Sequence, residues 1–224
     1  HGCVPLNADG TLKEVEIYGK KYKGKALYEV LDSYVRKSFV AVNAEEKRRG
    51  KDLMWYIWLH ENSPLFGKAK MATFERYFLA DKETHQEGKN PYYRLLEKEE
   101  VTDRILEEFG LPAEESHIIN GHVPVKTKNG ESPVKCGGKV LIIDGGFSRA
   151  YQRETGIAGY TLIYNSYGLI LAAHEPFEST EAAIQKGSDI HSESIVVKRV
   201  SQRKLVGDTD IGKDIKEKIG DLEQ

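Results

Sequence analysis

Several features are scarce or absent in this 224-residue sequence, and each absence excludes something. The only two cysteines, Cys3 and Cys136, are too few for a disulfide framework, and their spacing fits no zinc ribbon. A reduced, cytoplasmic compartment is therefore expected. No stretch approaches the roughly 20 apolar residues of a membrane span, and no signal peptide pattern stands at the start. The net charge of −2 gives no global field that would favour nucleic acid or an anionic membrane.

What is present indicates a globular chain. It is 39% hydrophobic and 30% charged, which suits one substantial core or one domain that carries an insertion. The sequence opens on His1 and not on methionine. That start predicts a processed or truncated piece of a longer protein.

The first half of the chain changes from strand to helix patterning. Residues 1–24 predict loop and short strand, and apolar residues at helical spacing predict helices through residues 25–110. In the helix expected at about 44–59, the predicted core stripe is Leu53, Met54, Ile57 and Trp58. Two further aromatic residues there, Trp55 and Tyr56, are likewise expected in the core and not on an aromatic platform.

From Pro112 onward the pattern becomes β. Short apolar runs predict strands at "HIIN", "KVLII" and "ESIVVKRV", and "GYTLIYNSYGLILAAH" predicts a hairpin. A capped helix is expected at "STEAAIQKG", and an amphipathic helix closes the chain. The predicted fold class is therefore α+β, with a start segment at 1–24, a helical insertion at 25–110 and a β-rich remainder at 111–224 that ends in a helix.

Two histidines flanked by glycine are the candidate metal ligands. His1 precedes a glycine in "HGCVP", and His122 follows one in "IINGHVPV". Glycine allows a tight turn at the end of a strand and leaves space for an ion, and imidazole suits Mn, Fe, Zn or Co. Each pair alone is a weak signal, because a loop histidine without a ligand is the commoner case. The other histidines, including His174, are expected to be structural, exposed or hydrogen-bonded.

The surrounding segments carry a specific resemblance. "HGCVPLNADG" resembles the His-Gly-Gly loop of metallophosphoesterases, and "NGHVPVKTKNGESPVKCGGKVLIIDGGFSRAYQ" resembles their Gly-His loop and the strand that follows it. Together with "SPLFGK" and "TGIAGYTLIYNSYGLILAAHEPF", these segments are similar to the class 3 fructose-1,6-bisphosphatases over essentially the whole chain.

The resemblance implies a metal centre that is shared with motifs not found here. It implies the C-terminal part of a metallophosphoesterase-type β-sandwich flanked by helices, in which His1 and His122 bind one metal of a dinuclear Mn²⁺ centre. Asn120 and Gly121 would shape the second loop, and Asp144 would support the ligands or simply form a turn. The family's Asp-x-His, Gly-Asp and Gly-Asn-His motifs are absent and expected upstream, so the chain alone is expected to lack half the site and to be inactive.

The resemblance also implies a reaction. Fructose 1,6-bisphosphate would lose its 1-phosphate to give fructose 6-phosphate and phosphate in gluconeogenesis. The retained phosphate needs cationic ligands, for which Lys68 and Lys126 are candidates, and the alternative is that each is simply one of the 33 lysines and arginines of the chain. No nucleic-acid or membrane partner is expected, and the oligomeric state is left open. Two alternatives remain: another dinuclear metallophosphoesterase, acting on dinucleoside polyphosphates or phosphoproteins, and a non-catalytic module that binds sugar phosphates.

Overall fold

The computed structural model describes residues 2–121, 123–157, 159–187, 192–200 and 202–223. The chain divides into two compact units. The first unit comprises His1–Val123 and Val134–Ile142, and the second comprises Pro124–Pro133 and Ile143–Gln224. Helices and small sheets occur in both units, as the predicted α+β class requires. Among the described residues, no helix is both long and apolar enough to cross a membrane.

The first unit begins with a β-hairpin. Strands β1 (Val15–Ile17) and β2 (Lys20–Tyr22) pair antiparallel. The two turn residues, Tyr18 and Gly19, have φ values of 50° and 76°. Two successive positive φ values suit the tight turn whose twist matches a hairpin. The alternation buries Val15 and Ile17, as the sequence pattern predicts.

Helices α1 (Gly24–Val40) and α2 (Ala44–Leu59) pack against each other and against this hairpin. Asn43 caps α2, because its side chain accepts a hydrogen bond from the Glu45 backbone N–H at 2.7 Å. Gly50 lets the helices approach closely, since a Cβ there would overlap the Ser38 side chain. The core that the two helices share with the hairpin consists of Val15, Ile17, Leu27, Leu31, Leu53 and Ile57.

Half of the core stripe predicted for α2 is wrong. Leu53 and Ile57 are buried, but Met54 is 51% exposed and Trp58 is 62% exposed. Trp55, also predicted to be in the core, is 60% exposed, whereas Tyr56 is partly buried. The i,i+4 pair at 53 and 57 faces α1 and the hairpin, which leaves the neighbouring face at 54, 55 and 58 outside the packed interface. Those side chains line an open groove of about 640 Å³.

Three further helices follow in the first unit: α3 (Thr73–Phe78), α4 (Tyr92–Leu95) and α5 (Glu99–Glu108). Gly110, with φ of 75°, ends the α5 segment as the sequence predicts. The start of the chain packs onto α4 and α5 in a second core cluster. Its buried members are Cys3, Val4, Leu6, Tyr92, Leu95, Leu96, Val101, Ile105 and Val140.

A three-stranded sheet of order β3-β5-β4 completes the first unit. Strand β3 (Ile118–Asn120) pairs parallel with β5 (Val140–Ile142), and β4 (Val134–Lys135) pairs antiparallel with β5. The sequence pattern predicts β3 and β5. It does not reveal β4, because a two-residue strand has no period to detect.

The second unit contains helix α6 (Arg149–Thr155) and an antiparallel sheet of order β6-β7-β8. The predicted hairpin is confirmed as β6 (Gly159–Asn165) and β7 (Gly168–His174), and β8 (Ser192–Arg199) pairs with β7. Gly168 has φ of 143°, and a Cβ there would overlap the carbonyl oxygen of Lys198. The close approach of the two strands thus requires glycine.

Two more predicted helices are confirmed in the second unit. Helix α7 (Thr180–Lys186) is capped by Ser179, whose hydroxyl accepts from the Ala182 N–H at 3.0 Å. Helix α8 (Asp210–Leu222) packs on the turn at Val206–Asp208. Its predicted apolar face is present but largely exposed.

Candidate functional site

Both predicted metal ligands, His1 and His122, lie outside the residues that the structure describes. What it does describe are the segments next to them in the first unit. We call Gly2–Leu6 the first loop and Ile118–Gly121 the second loop. Within the described part of the chain, no group of three or more His, Cys, Asp or Glu side chains is arranged to hold a metal ion.

The first loop is held along its whole length. The Cys3 backbone N–H donates to the Pro64 carbonyl at 2.8 Å, and the Leu6 N–H donates to the side-chain oxygen of Asn90 at 3.3 Å. Cys3, Val4 and Leu6 are also buried in the core formed with α4 and α5. This segment is therefore fixed to the helical region and not only to its sequence neighbours.

Tyrosine hydroxyls from the helical region bond to both loops. Tyr28 on α1 donates to the Cys3 carbonyl at 2.8 Å, and Tyr93 on α4 donates to the Gly2 carbonyl at 3.2 Å. Tyr92, next to Tyr93, donates to the side-chain oxygen of Asn120 at 3.1 Å. Two adjacent tyrosines thus bond to Gly2, which follows His1 in the sequence, and to Asn120, which lies two residues before His122.

The two loops also share a cavity of about 330 Å³. Gly2 and Cys3 line it from the first loop and Asn120 from the second. Most of the other lining is apolar or aromatic. Burial raises the pKa of Tyr92 to about 12, so this hydroxyl keeps its proton and remains a donor at neutral pH.

Sequence reasoning missed these tyrosines. They belong to the segment predicted to be a mere insertion, and the chain holds 12 tyrosines that offer no ranking among themselves. The only local signal is the pair Tyr92–Tyr93 directly after Asn90–Pro91, where Asn90 binds both the Tyr92 N–H and the first loop. That signal gains meaning only once the fold is known.

Asp144 lies in the second unit and takes part in a turn. One of its carboxylate oxygens accepts the Gly146 N–H at 2.7 Å, and its backbone carbonyl accepts the Val125 N–H at 2.8 Å. Gly146 itself has φ of 73°, a left-handed conformation that glycine adopts at little steric cost. Of the two roles expected for Asp144, turn formation is the one with a described contact.

The two candidate phosphate ligands have different surroundings. The Lys68 ammonium lies 2.8 Å from a carboxylate oxygen of Glu87, and only 17% of the Lys68 side chain is exposed. Lys126 is exposed, and its ammonium forms no ion pair with any residue in the described ranges. Its backbone N–H donates to Glu131 at 2.9 Å, which fixes the main chain and leaves the side chain outward.

Histidines expected to be structural have hydrogen bonds. His174 bridges Thr161 at 2.7 Å and Ser192 at 2.8 Å across the β6-β7-β8 sheet. His117 contacts the Gly138 carbonyl, and His85 contacts that of Leu79. The prediction of a satisfied structural role for His174 is confirmed. His191 lies outside the described residues.

The two cysteines are free thiols. Cys3 is 3% exposed, and burial raises the pKa of its thiol to about 12. The Cys136 thiol donates to the Leu96 carbonyl at 3.1 Å. Both thiols are thus accounted for by packing and hydrogen bonding.

Comparison with known proteins identifies relatives along the entire chain. The model of the family described as "Firmicute fructose-1,6-bisphosphatase" matches residues 1–224. A fructose-1,6-bisphosphatase class 3 from Clostridium botulinum (strain Hall) is 58% identical over 224 residues, 100% of this chain and 34% of the relative. One from Clostridium acetobutylicum is 57% identical over 223 residues, again 34% of the relative. The chain thus spans about a third of these relatives' length. No solved structure matches it.

Proposed function

This chain belongs to the Firmicute fructose-1,6-bisphosphatase family, and from that premise we propose that it supplies part of an enzyme that hydrolyses fructose 1,6-bisphosphate. The products would be fructose 6-phosphate and phosphate, as gluconeogenesis requires. The observation that carries the proposal is the family match, which runs through both glycine-flanked histidines. The two free thiols support a cytoplasmic location.

We propose that His1 and His122 bind one Mn²⁺ of a dinuclear centre. Support comes from their described neighbours, since Gly2 and Asn120 line one cavity and bond to adjacent tyrosines. Two imidazoles from converging loops form a donor set that suits a first-row divalent cation. When bound, Mn²⁺ supplies charge neutralisation at the phosphate oxygens and an acidified water. The imidazoles must be neutral to bind, and the loops must present them to one point.

The finer architecture stays a proposal as well. The parallel β3–β5 pair after the helical region, followed by an antiparallel hairpin sheet, is compatible with the C-terminal part of a metallophosphoesterase-type β-sandwich flanked by helices. Of the two lysines, Lys126 is the better phosphate ligand, because its ammonium is exposed whereas that of Lys68 is already paired with Glu87.

The test uses the whole product of the open reading frame that encodes this chain, loaded with Mn²⁺. Phosphate release from fructose 1,6-bisphosphate is compared with release from a dinucleoside polyphosphate and from a phosphopeptide. We expect the sugar bisphosphate to be preferred, and His122→Ala to lower kcat/KM by at least about 100-fold, more than loss of an outer-shell partner costs.

The matched control is His85→Ala, which removes a half-buried histidine bonded to the Leu79 carbonyl and should leave kcat/KM within about twofold. Faster hydrolysis of the nucleotide or the phosphopeptide would replace the proposed substrate with one of the alternatives. Wild-type activity in His122→Ala would remove the proposed metal ligand.

A further inference from the structure

Among the long-range contacts that the helical region, predicted to be an insertion, makes with the loops carrying the proposed metal ligands, three come from tyrosine side chains. Each contact is a tyrosine hydroxyl that donates to a loop oxygen, over sequence separations of 25, 28 and 91 residues. The oxygens belong to Gly2, Cys3 and Asn120. Such contacts do not arise from local chain geometry, because they join segments that fold as separate elements.

The contacts restrain residues close to each histidine position: backbone carbonyls in the first loop and a side chain in the second. In the first loop, the carbonyls of residues 2 and 3 are both held by hydroxyls, and the Cys3 N–H is held by Pro64. These bonds fix the two consecutive peptide planes on either side of the Cys3 Cα atom. In the second loop, the Asn120 side chain is held two residues before position 122.

The three tyrosines are themselves rigidly placed. Tyr92 is 2% exposed and packs edge-to-face on Tyr93, with ring centroids 5.5 Å apart. Tyr28 packs edge-to-face on Phe109 at 5.4 Å. A hydroxyl on a ring that is held by packing is a fixed donor, as a group that orients a ligand-bearing loop must be.

We propose that Tyr28, Tyr92 and Tyr93 are positioning residues that hold the two loops in register, so that the histidines converge on one cation. This inference rests on the proposed function, because it assumes that positions 1 and 122 bind metal. It assigns to the helical region a role in metal affinity, in addition to its own packing.

The test measures Mn²⁺ binding directly and not through activity. The whole product of the open reading frame is stripped of metal with a chelator. It is then titrated with Mn²⁺ alone, while the electron paramagnetic resonance signal of free Mn²⁺ is followed. Variants are Tyr28→Phe, Tyr92→Phe and Tyr93→Phe, each of which removes a hydroxyl and keeps the ring. We expect Kd for Mn²⁺ to rise about tenfold for Tyr92→Phe and to rise further when the substitutions are combined.

The matched control is Tyr18→Phe. Tyr18 also donates a hydroxyl hydrogen bond, at 3.2 Å to the Arg49 carbonyl, but in the hairpin and α2 and away from both loops. This variant should lower the melting temperature of the metal-free protein and leave Kd unchanged. The three tyrosine variants should raise Kd for Mn²⁺ even where their metal-free melting temperature falls no further than that of Tyr18→Phe. A purely structural role would not separate metal affinity from stability in this way.

His122→Ala separates this inference from the proposed function. If His122→Ala weakens Mn²⁺ binding but all three tyrosine variants bind as tightly as the parent, the positioning role is wrong and the metal site stands. If His122→Ala binds Mn²⁺ as tightly as the parent, the proposed metal site fails and this inference fails with it. Should Tyr92→Phe not fold, Tyr93→Phe decides, because its hydroxyl bond lies at the exposed edge.

Discussion

At the scale of single residues, Glu87 is a carboxylate that is both nearly buried and surrounded by donors. It pairs with Lys68 at 2.8 Å and Arg76 at 3.3 Å, accepts the Ala72 N–H at 2.9 Å, and is only 11% exposed. The Lys68 hydrogen bond is the largest cause that lowers the Glu87 pKa, followed by the Ala72 N–H. These bonds tie the segment at 68–76 to the segment at 87.

We predict that Glu87→Gln lowers the free energy of unfolding by about 1–3 kcal/mol at neutral pH, because it leaves Lys68 with a much weaker acceptor. A lowered pKa stabilises the fold above the ordinary glutamate value of 4.5. That contribution is lost as pH falls through the lowered pKa of the folded state. Denaturant unfolding between pH 3 and pH 7 should therefore show the two chains converging in acid.

The matched control for that experiment is Glu97→Gln. Glu97 also pairs with a lysine, Lys135, at 2.9 Å, but it is 65% exposed. Solvent screens such a pair, so the change should cost less than about 1 kcal/mol. If Glu87→Gln and Glu97→Gln lowered the free energy of unfolding equally, the Lys68–Glu87 pair would contribute no more to stability than an exposed pair.

The exposed Lys126 is the proposed phosphate ligand, and its role can be tested by substitution in the whole enzyme. If Lys126 holds the retained phosphate as proposed, it would bind ground state and transition state alike, so Lys126→Ala should raise KM for fructose 1,6-bisphosphate about threefold to tenfold with little change in kcat. Lys128→Ala is the matched neighbour, since the Lys128 ammonium donates to the Arg153 carbonyl. Steady-state kinetics of both variants decides, and an unchanged KM in Lys126→Ala would remove this ligand.

At the scale of secondary structure, periodicity predicts most helices and strands correctly, including α2 at Ala44–Leu59. It does not decide which side of a helix is buried when hydrophobic residues nearly encircle it. In α2, residues 53, 54, 55, 57 and 58 are all apolar or aromatic, so the choice of 53 and 57 depends on where α1 and the hairpin lie. The parallel β3–β5 pairing is equally non-local, because 19 intervening residues leave no periodic signal of it.

Helix α8 offers a prediction at the same scale from two glycines with different surroundings. A Cβ at Gly212 would overlap the Val206 carbonyl oxygen and crowd Gly207, whereas nothing lies within 4 Å of a Cβ at Gly220. Gly212→Ala should therefore loosen α8 from its turn and cost about 1–3 kcal/mol. Gly220→Ala should stabilise the helix by up to about 1 kcal/mol.

Hydrogen exchange of residues 206–222, read by mass spectrometry, measures both effects. Gly212→Ala should speed exchange through that segment, and Gly220→Ala should slow it. Equal protection in the two variants would mean that the close contact between α8 and the turn does not form in solution.

At the scale of the whole molecule, several tyrosine hydroxyls and one thiol have raised pKa values because they are removed from solvent. Burial raises the pKa values of Tyr28 and Tyr93, and it raises those of Tyr92 and Cys3 to about 12. A group with a raised pKa is ionised first in the unfolded state. The stability it contributes is complete below its unfolded value and is lost as pH rises towards its folded value.

We therefore predict that the free energy of unfolding falls steadily between about pH 9 and pH 12, by up to about 1.4 kcal/mol per pH unit for each such group. Tyr92→Phe should make the fall shallower between pH 10 and pH 12. Tyr77→Phe, which removes an exposed hydroxyl, is the control. Denaturant midpoints across this range test the idea, and a flat profile would rule it out.

The candidate site, like the fold, could be predicted from the sequence only where it depends on local pattern and not on contacts between distant segments. Glycine-flanked histidines can be read in the sequence because their neighbours lie beside them. The partners of the loops cannot, because Tyr28, Tyr92 and Tyr93 come from segments that reach the loops only through packing of α1 and α4. Neither Lys68 nor Glu87 signals in the sequence that it will pair 19 residues away.

Both tryptophans of the chain, Trp55 and Trp58, stand on one exposed face of α2, with ring centroids 5.4 Å apart. The second unit contains none. Intrinsic indole emission therefore reports only on the first unit and on whatever touches that groove. A melting curve recorded by tryptophan fluorescence alone would not detect the loss of the β6-β7-β8 sheet. Circular dichroism must therefore be recorded alongside it.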